Sequence, residues 1–181
     1  MIRYYQIDRP WQPLSIIDQS VVTIINLKLN ILFERWQGTP YMAGNQCKQR
    51  GVDCIRWVTA ILDKMYSIPP TNITTLPSDA SFHNKRGAMK AMVQIKRLYP
   101  HCKVLRHEPM EPGDLVIVGP PGGGPGHAML VGTQKNTLWH CTPQSGVCKT
   151  GWSLAVGHQH IFRIYRAKNR VKLWTSLYTA L

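Results

Sequence analysis

Up to about residue 110 the apolar residues of the chain recur mainly at helical intervals. "DQS" offers an N-cap at Asp18 or Ser20, and apolar positions then continue to Trp36, where "QGTP" closes the run. From Asp53, the residues Cys54, Val58, Ile61 or Leu62, and Met65 repeat at the spacing of one helix face. "SIPP" stops that run at Pro69, since proline lacks a donor and clashes with the preceding turn. A third helical pattern covers residues 84 to about 98. It has Ala88, Met92, Ile95 and Tyr99 along one side, with Lys85, Arg86, Lys90, Lys96 and Arg97 turned largely away.

After "EPGD" the pattern is that of strands. "LVIVG", "HAMLVG", "TLWHC" and "IFRIYRA" are short apolar or alternating runs divided by glycine, proline and polar turns. Helices followed by consecutive strands predict an α+β fold in which the helices pack on a small antiparallel sheet. Residues 1–17, with Pro10 and Pro13, read as an N-terminal arm, residues 18–166 as the domain and residues 167–181 as a C-terminal extension. No internal repeat or heptad is present.

Composition narrows the picture. The chain has 181 residues, 44% of them hydrophobic, which is enough for one domain with a true core. Lys and Arg number 22 against 9 Asp and Glu, a formal charge of +13, so an anionic partner is expected: nucleic acid, an acidic membrane face, a cell-wall polymer or an acidic neighbour. The N-terminal "MIRYYQIDRPWQPL" has no continuous apolar core and does not read as a signal peptide. "VVTIINLKLNILF" is interrupted by Asn26, Lys28 and Asn30 and is too short to span a bilayer. The five cysteines, Cys47, Cys54, Cys102, Cys141 and Cys148, form neither an even framework nor a CxxC pair, so no metal or other cofactor is expected.

Cys54 is the candidate for chemistry. A thiol in the first turn of a helix meets unpaired N–H groups and the positive end of the dipole, which favour the thiolate. The same position also suits a small buried residue. A thiol nucleophile needs a base, and the base needs a group to orient it. His127 opens one strand after "PPGGGPG", and His140 lies near the end of the next. A hairpin through "TQKN" would bring them close. By alternation His127, Met129 and Val131 share one face, as do Leu138 and His140.

The ordered set "GTPYMAGNQCKQRGVDCIRWV", "EPGDLVIV", "GHAMLVG" and "LWHC" resembles the NlpC-type cell-wall cysteine peptidases, and within them the branch of bacteriophage and prophage tail proteins. The resemblance covers residues 38 to about 165. It implies a papain-like fold and hydrolysis of amide bonds in peptidoglycan stem peptides, commonly next to D-glutamate. Carried onto this chain, it implies Cys54 as nucleophile, His127 as general base and His140 as the orienting group. Tyr41 and Asp53 would line the substrate groove, and Gly113 and Asp114 would form the turn before the first core strand. The chain departs from the family pattern at Ile55 and Arg56, where small residues are usual, and at Asn45, where a second glycine is usual. The loop before His127 is also unusually rich in glycine and proline, and it is expected to form a mobile lip over the site.

The leading expectation is therefore a peptidoglycan hydrolase carried by a phage tail or injection device, working in the virion or at the bacterial envelope beside other tail proteins. A structural tail component that keeps the fold without catalysis is the alternative, and an acyltransferase using the same Cys and His is a third reading. A nucleic-acid-binding module would account for the charge but not for the motif order. The basic helix at 84–98 is expected to serve association with an anionic partner.

Overall fold

The computed structural model describes residues 19–65, 90–93, 102–104, 108–157 and 159–167. The arm at 1–17, most of the helix expected over 84–98 and nearly all of the C-terminal extension lie outside the described residues. Of that expected helix, residues 90–93 are described and are helical.

Helix α1 (Gln19–Glu34) and helix α2 (Cys54–Met65) fall where the apolar spacing places them. Between them, strands β1 (Gln46–Cys47) and β2 (Gly51–Val52) form a small antiparallel hairpin. The main sheet has six strands: β3 (Cys102–Val104), β4 (Leu115–Gly119), β5 (His127–Val131), β6 (Thr137–Thr142), β7 (Gly146–Gly151) and β8 (His160–Ala167). Their spatial order is β3-β8-β4-β5-β6-β7, and every pairing is antiparallel. A five-residue helix, α3 (Trp152–Val156), follows β7 directly. The fold is α+β, with helices packed on an antiparallel sheet.

Alternation along the strands divides the core in two. Leu115, Ile117, Ala128, Leu130, Trp139 and Cys141 face Leu29 and Phe33 of α1 and Ile55, Trp57, Val58 and Ile61 of α2. Val116, Val118, Met129, Val131 and Leu138 face the other way, where Ala155 and Val156 of α3 join Ile161 and Ile164. The expected packing of long helices on the sheet is present, and the opposite face is covered as well. The unbroken apolar run "LVIVG" already requires this, because every residue of β4 is buried. Strands β3 and β7 escape sequence pattern because "CKV" is only three residues long and "GVCKTG" carries few apolar residues. Pairing with β8 and β6 makes them strands.

A buried ionic cluster closes the turn before β4. Asp114 is wholly buried and takes two hydrogen bonds from the Arg166 guanidinium, Nε to Oδ1 at 3.0 Å and Nη2 to Oδ2 at 2.6 Å. Arg166 also donates to Glu111 Oε1 at 2.6 Å and to the Pro109 carbonyl at 2.5 Å. The Glu111 N–H donates to Asp114 Oδ2 at 2.8 Å. Asp114 and Gly113 thus sit in the structural turn expected of them. Gly113 adopts φ +82°, and a Cβ there would lie 2.8 Å from Met65 Cε.

Candidate active site

The N-terminus of α2 is set by Asp53. Its Oδ1 accepts the N–H of Arg56 at 2.8 Å, the reach of an N-cap to the third helical residue. Oδ2 accepts the N–H of Gly44 at 2.9 Å and is ion-paired with Arg56 Nη1. The residue expected to line a groove is therefore buried and fully engaged in fixing the helix that begins with Cys54. Tyr41 is brought alongside by a parallel bridge to Val52, supported by the Val52 N–H on the Pro40 carbonyl (2.9 Å) and the Met42 N–H on the Val52 carbonyl (3.1 Å). Gly51 makes this crossing possible. At φ +130° a Cβ there would stand 2.7 Å from Met42 Cβ and 2.9 Å from the Pro40 oxygen.

The two histidines meet as the hairpin predicts. Met129 lies opposite His140, so His127 is its diagonal neighbour on the same face of β5 and β6. His127 Nε2 is 2.9 Å from His140 Nδ1, and the rings meet edge to face with centroids 5.1 Å apart. This contact occupies Nε2 of His127 and leaves Nδ1 as its only other ring nitrogen for a thiol proton. Two neutral imidazoles share one hydrogen in such a contact. When it resides on His127 Nε2, Nδ1 is a bare acceptor, so His140 can set the tautomer a base needs.

Cys54 is 6% exposed. Burial pushes its thiol up to about 12, and the charge of Asp53 and the neighbouring Cys141 add to the rise. The N–H groups of Ala128 and Ile55 act in the opposite direction. The thiol thus lies beside the backbone of the residue that follows His127, although no hydrogen bond joins it to the His127 ring. Burial and the adjacent His140 lower His127 to about 3, and burial lowers His140 as well. The resting state at neutral pH is a neutral thiol with neutral imidazoles. The dipole effect expected of the helix start is present in the Ile55 N–H, and desolvation outweighs it.

Two neighbours were not expected. Cys141 donates its S–H to the Val52 carbonyl at 3.1 Å, and burial followed by the Asp53 charge pushes it up to about 12. As the residue after His140 it must face the helices, so alternation alone indicates its place. Arg56, noted in the sequence only as a departure, is buried against Asp53. The i, i+3 spacing of acid and base is the signal for that pair. Burial also raises Tyr41 to about 12, with Cys54, Asp53 and Cys141 adding and Arg56 opposing.

The loop expected to form a lip is tied to β4 by the Gly126 N–H on the Val118 carbonyl at 2.7 Å, and it approaches so closely that a Cβ on Gly119 would lie 2.1 Å from the Gly124 oxygen. Among the described residues no group of three His, Cys, Asp or Glu side chains is arranged to hold a metal ion, and no described helix is long and apolar enough to cross a membrane.

The arrangement is that of an α+β domain with a thiol at the start of a sheet-packed helix, met by the Ala128 N–H of β5, and a pair of hydrogen-bonded imidazoles on β5 and β6. Two solved structures are similar to this chain. One is the NlpC/p60 domain of the peptidoglycan hydrolase SagA, with a TM-score of 0.48 and 14% identity over 78% of this chain and 97% of that one. The other is a Staphylococcus aureus protein described as similar to lipoprotein, of the NLP/P60 family, with a TM-score of 0.47 and 16% identity over 88% of this chain and 44% of that one. No protein-family model matches the sequence, and no curated protein matches it.

Proposed function

We propose that this chain is a cysteine hydrolase of NlpC type that cleaves amide bonds in peptidoglycan stem peptides. The observation that carries the reading is the His127 Nε2 to His140 Nδ1 contact, which leaves His127 one ring nitrogen for a thiol proton, on the strand whose Ala128 N–H meets the Cys54 sulfur. In the proposed reaction the Cys54 sulfur attacks the amide carbonyl carbon while its proton passes to His127 Nδ1. The resulting imidazolium is held by His140 and returns the proton to the leaving amine. Water, deprotonated by the same base, then hydrolyses the thioester. Burial favours the neutral forms of both thiol and imidazole, which suits proton transfer concerted with attack.

The setting we propose is a phage tail or similar injection device. The order of motifs supports it, and so does a charge of +13, which suits a wall carrying carboxylates and phosphate-containing polymers. The deep burial of Cys54 favours a second reading, a tail component that retains the fold without turnover. An acyltransferase would use the same groups and differ in its products.

Digestion of purified peptidoglycan, with mass analysis of the fragments, separates the three. Cut stem peptides from the native chain and none from Cys54→Ala are expected. Intact stem peptides would support the structural reading, and acylated amines the transferase.

A further inference from the structure

Among the described residues, the carboxylate that acts on the Cys54 thiol is that of Asp53, and it is itself ion-paired. The Asp53 carboxylate and Cys141 act on the thiol, the Ala128 N–H meets it, and Tyr41 feels its charge; Arg56 pairs with Asp53, and the His127–His140 contact lies on the strands that carry Ala128 and Cys141. Tyr41 and Cys141 are raised to about 12 and both imidazoles are lowered, so at neutral pH those four groups are uncharged. Among these neighbours the remaining charges are the Asp53 carboxylate and the Arg56 guanidinium, in direct contact with side chains only 6% and 5% exposed.

Asp53 has a second obligation. Its two oxygens accept the N–H groups of Arg56 and Gly44, so the acid caps α2 and also ties the Tyr41–Asn45 loop to it. A buried carboxylate in that position, one residue from the sulfur, would oppose the thiolate on which attack depends.

We propose that Arg56 is a positioning residue for the nucleophile: its guanidinium holds the Asp53 carboxylate as a buried neutral pair, so that the acid caps α2 without placing an uncompensated negative charge beside the Cys54 sulfur. This inference rests on Cys54 being the nucleophile. It also explains why the chain tolerates a large cation where the family it resembles has a small residue.

The test is the second-order rate at which iodoacetamide alkylates Cys54 at pH 8.5, with the modified peptide identified by mass. Below the thiol midpoint the rate tracks the thiolate fraction, so raising that midpoint slows alkylation in proportion. R56Q is expected to react about tenfold more slowly, as the uncompensated carboxylate holds the proton on sulfur. R56K, which keeps the charge, and the double variant D53N/R56Q, which removes both charges, are expected to stay within about threefold of the native chain. A merely structural role for Arg56 loosens the site and raises the rate. R56Q reacting as fast as the native chain or faster, or the double variant reacting as slowly as R56Q, overturns the proposal.

If R56Q does not fold, D53N is compared with D53N/R56Q. The unopposed guanidinium should make D53N about tenfold faster, and equal rates overturn the proposal. These rates do not depend on peptidoglycan cleavage, so the charge compensation at Cys54 is tested separately from the proposed activity.

Discussion

Asp114→Ala leaves the Arg166 guanidinium in a buried site without the carboxylate that accepts two of its N–H groups. Asp114 has no exposure to solvent and the Arg166 side chain is only 9% exposed, so water cannot replace the lost bonds. Removing one partner of a buried ion pair costs about 3–5 kcal/mol. Glu111, on Nη1, and the Pro109 carbonyl, on Nη2, still hold part of the guanidinium, which places the expected loss near the lower end, about 3 kcal/mol. Against a total stability of roughly 5–15 kcal/mol this is a large fraction. Urea unfolding followed by the fluorescence of the buried Trp57 and Trp139 reports it as a fall in midpoint at constant slope. The decisive comparison is Asp114→Ala with Arg166→Met added. Removing both charges relieves the orphaned guanidinium, so the double variant should be more stable than Asp114→Ala alone. A loss under about 1 kcal/mol for the single variant, or a double variant that is less stable still, would refute the account of this cluster as a coupled buried network.

Three further outcomes are expected. In a soluble stem-peptide assay on folded variants, His127→Ala should lower kcat/KM by about 10²–10⁴-fold and His140→Ala by about tenfold less, because the first removes the base and the second its orientation; equal losses would count against that division of roles. The native state holds His127 neutral down to about pH 3 while the unfolded chain takes up a proton near 6.5, so the unfolded state binds more protons in that window. Stability should therefore fall as pH drops from about 6.5 toward 3, and His127→Gln should flatten the decline in urea midpoint. Gly119→Ala forces a methyl group to within 2.1 Å of the Gly124 oxygen, so the β4–β5 loop must shift; a thermal midpoint unchanged within about 1 °C would mean the loop yields freely.

The positions of α1, α2, β4, β5, β6 and β8 are legible in the sequence because each carries a periodic or, in β4, an unbroken apolar run with a stop signal of its own. The proximity of His127 to His140 is legible for a related reason: a short turn between two strands fixes register locally, and register fixes which side chains become neighbours. Strands β3 and β7 exist only because partners complete their hydrogen bonds, so their own residues do not announce them. The same holds for the Arg166 cluster, which joins positions 52 residues apart. The charge state of the site is the furthest from the sequence. A helix start predicts a favoured thiolate, but that prediction assumes solvent. Only the packing of α2 on the sheet decides how much water reaches Cys54, and desolvation, which depends on every surrounding atom, outweighs the local pull of a few backbone N–H groups.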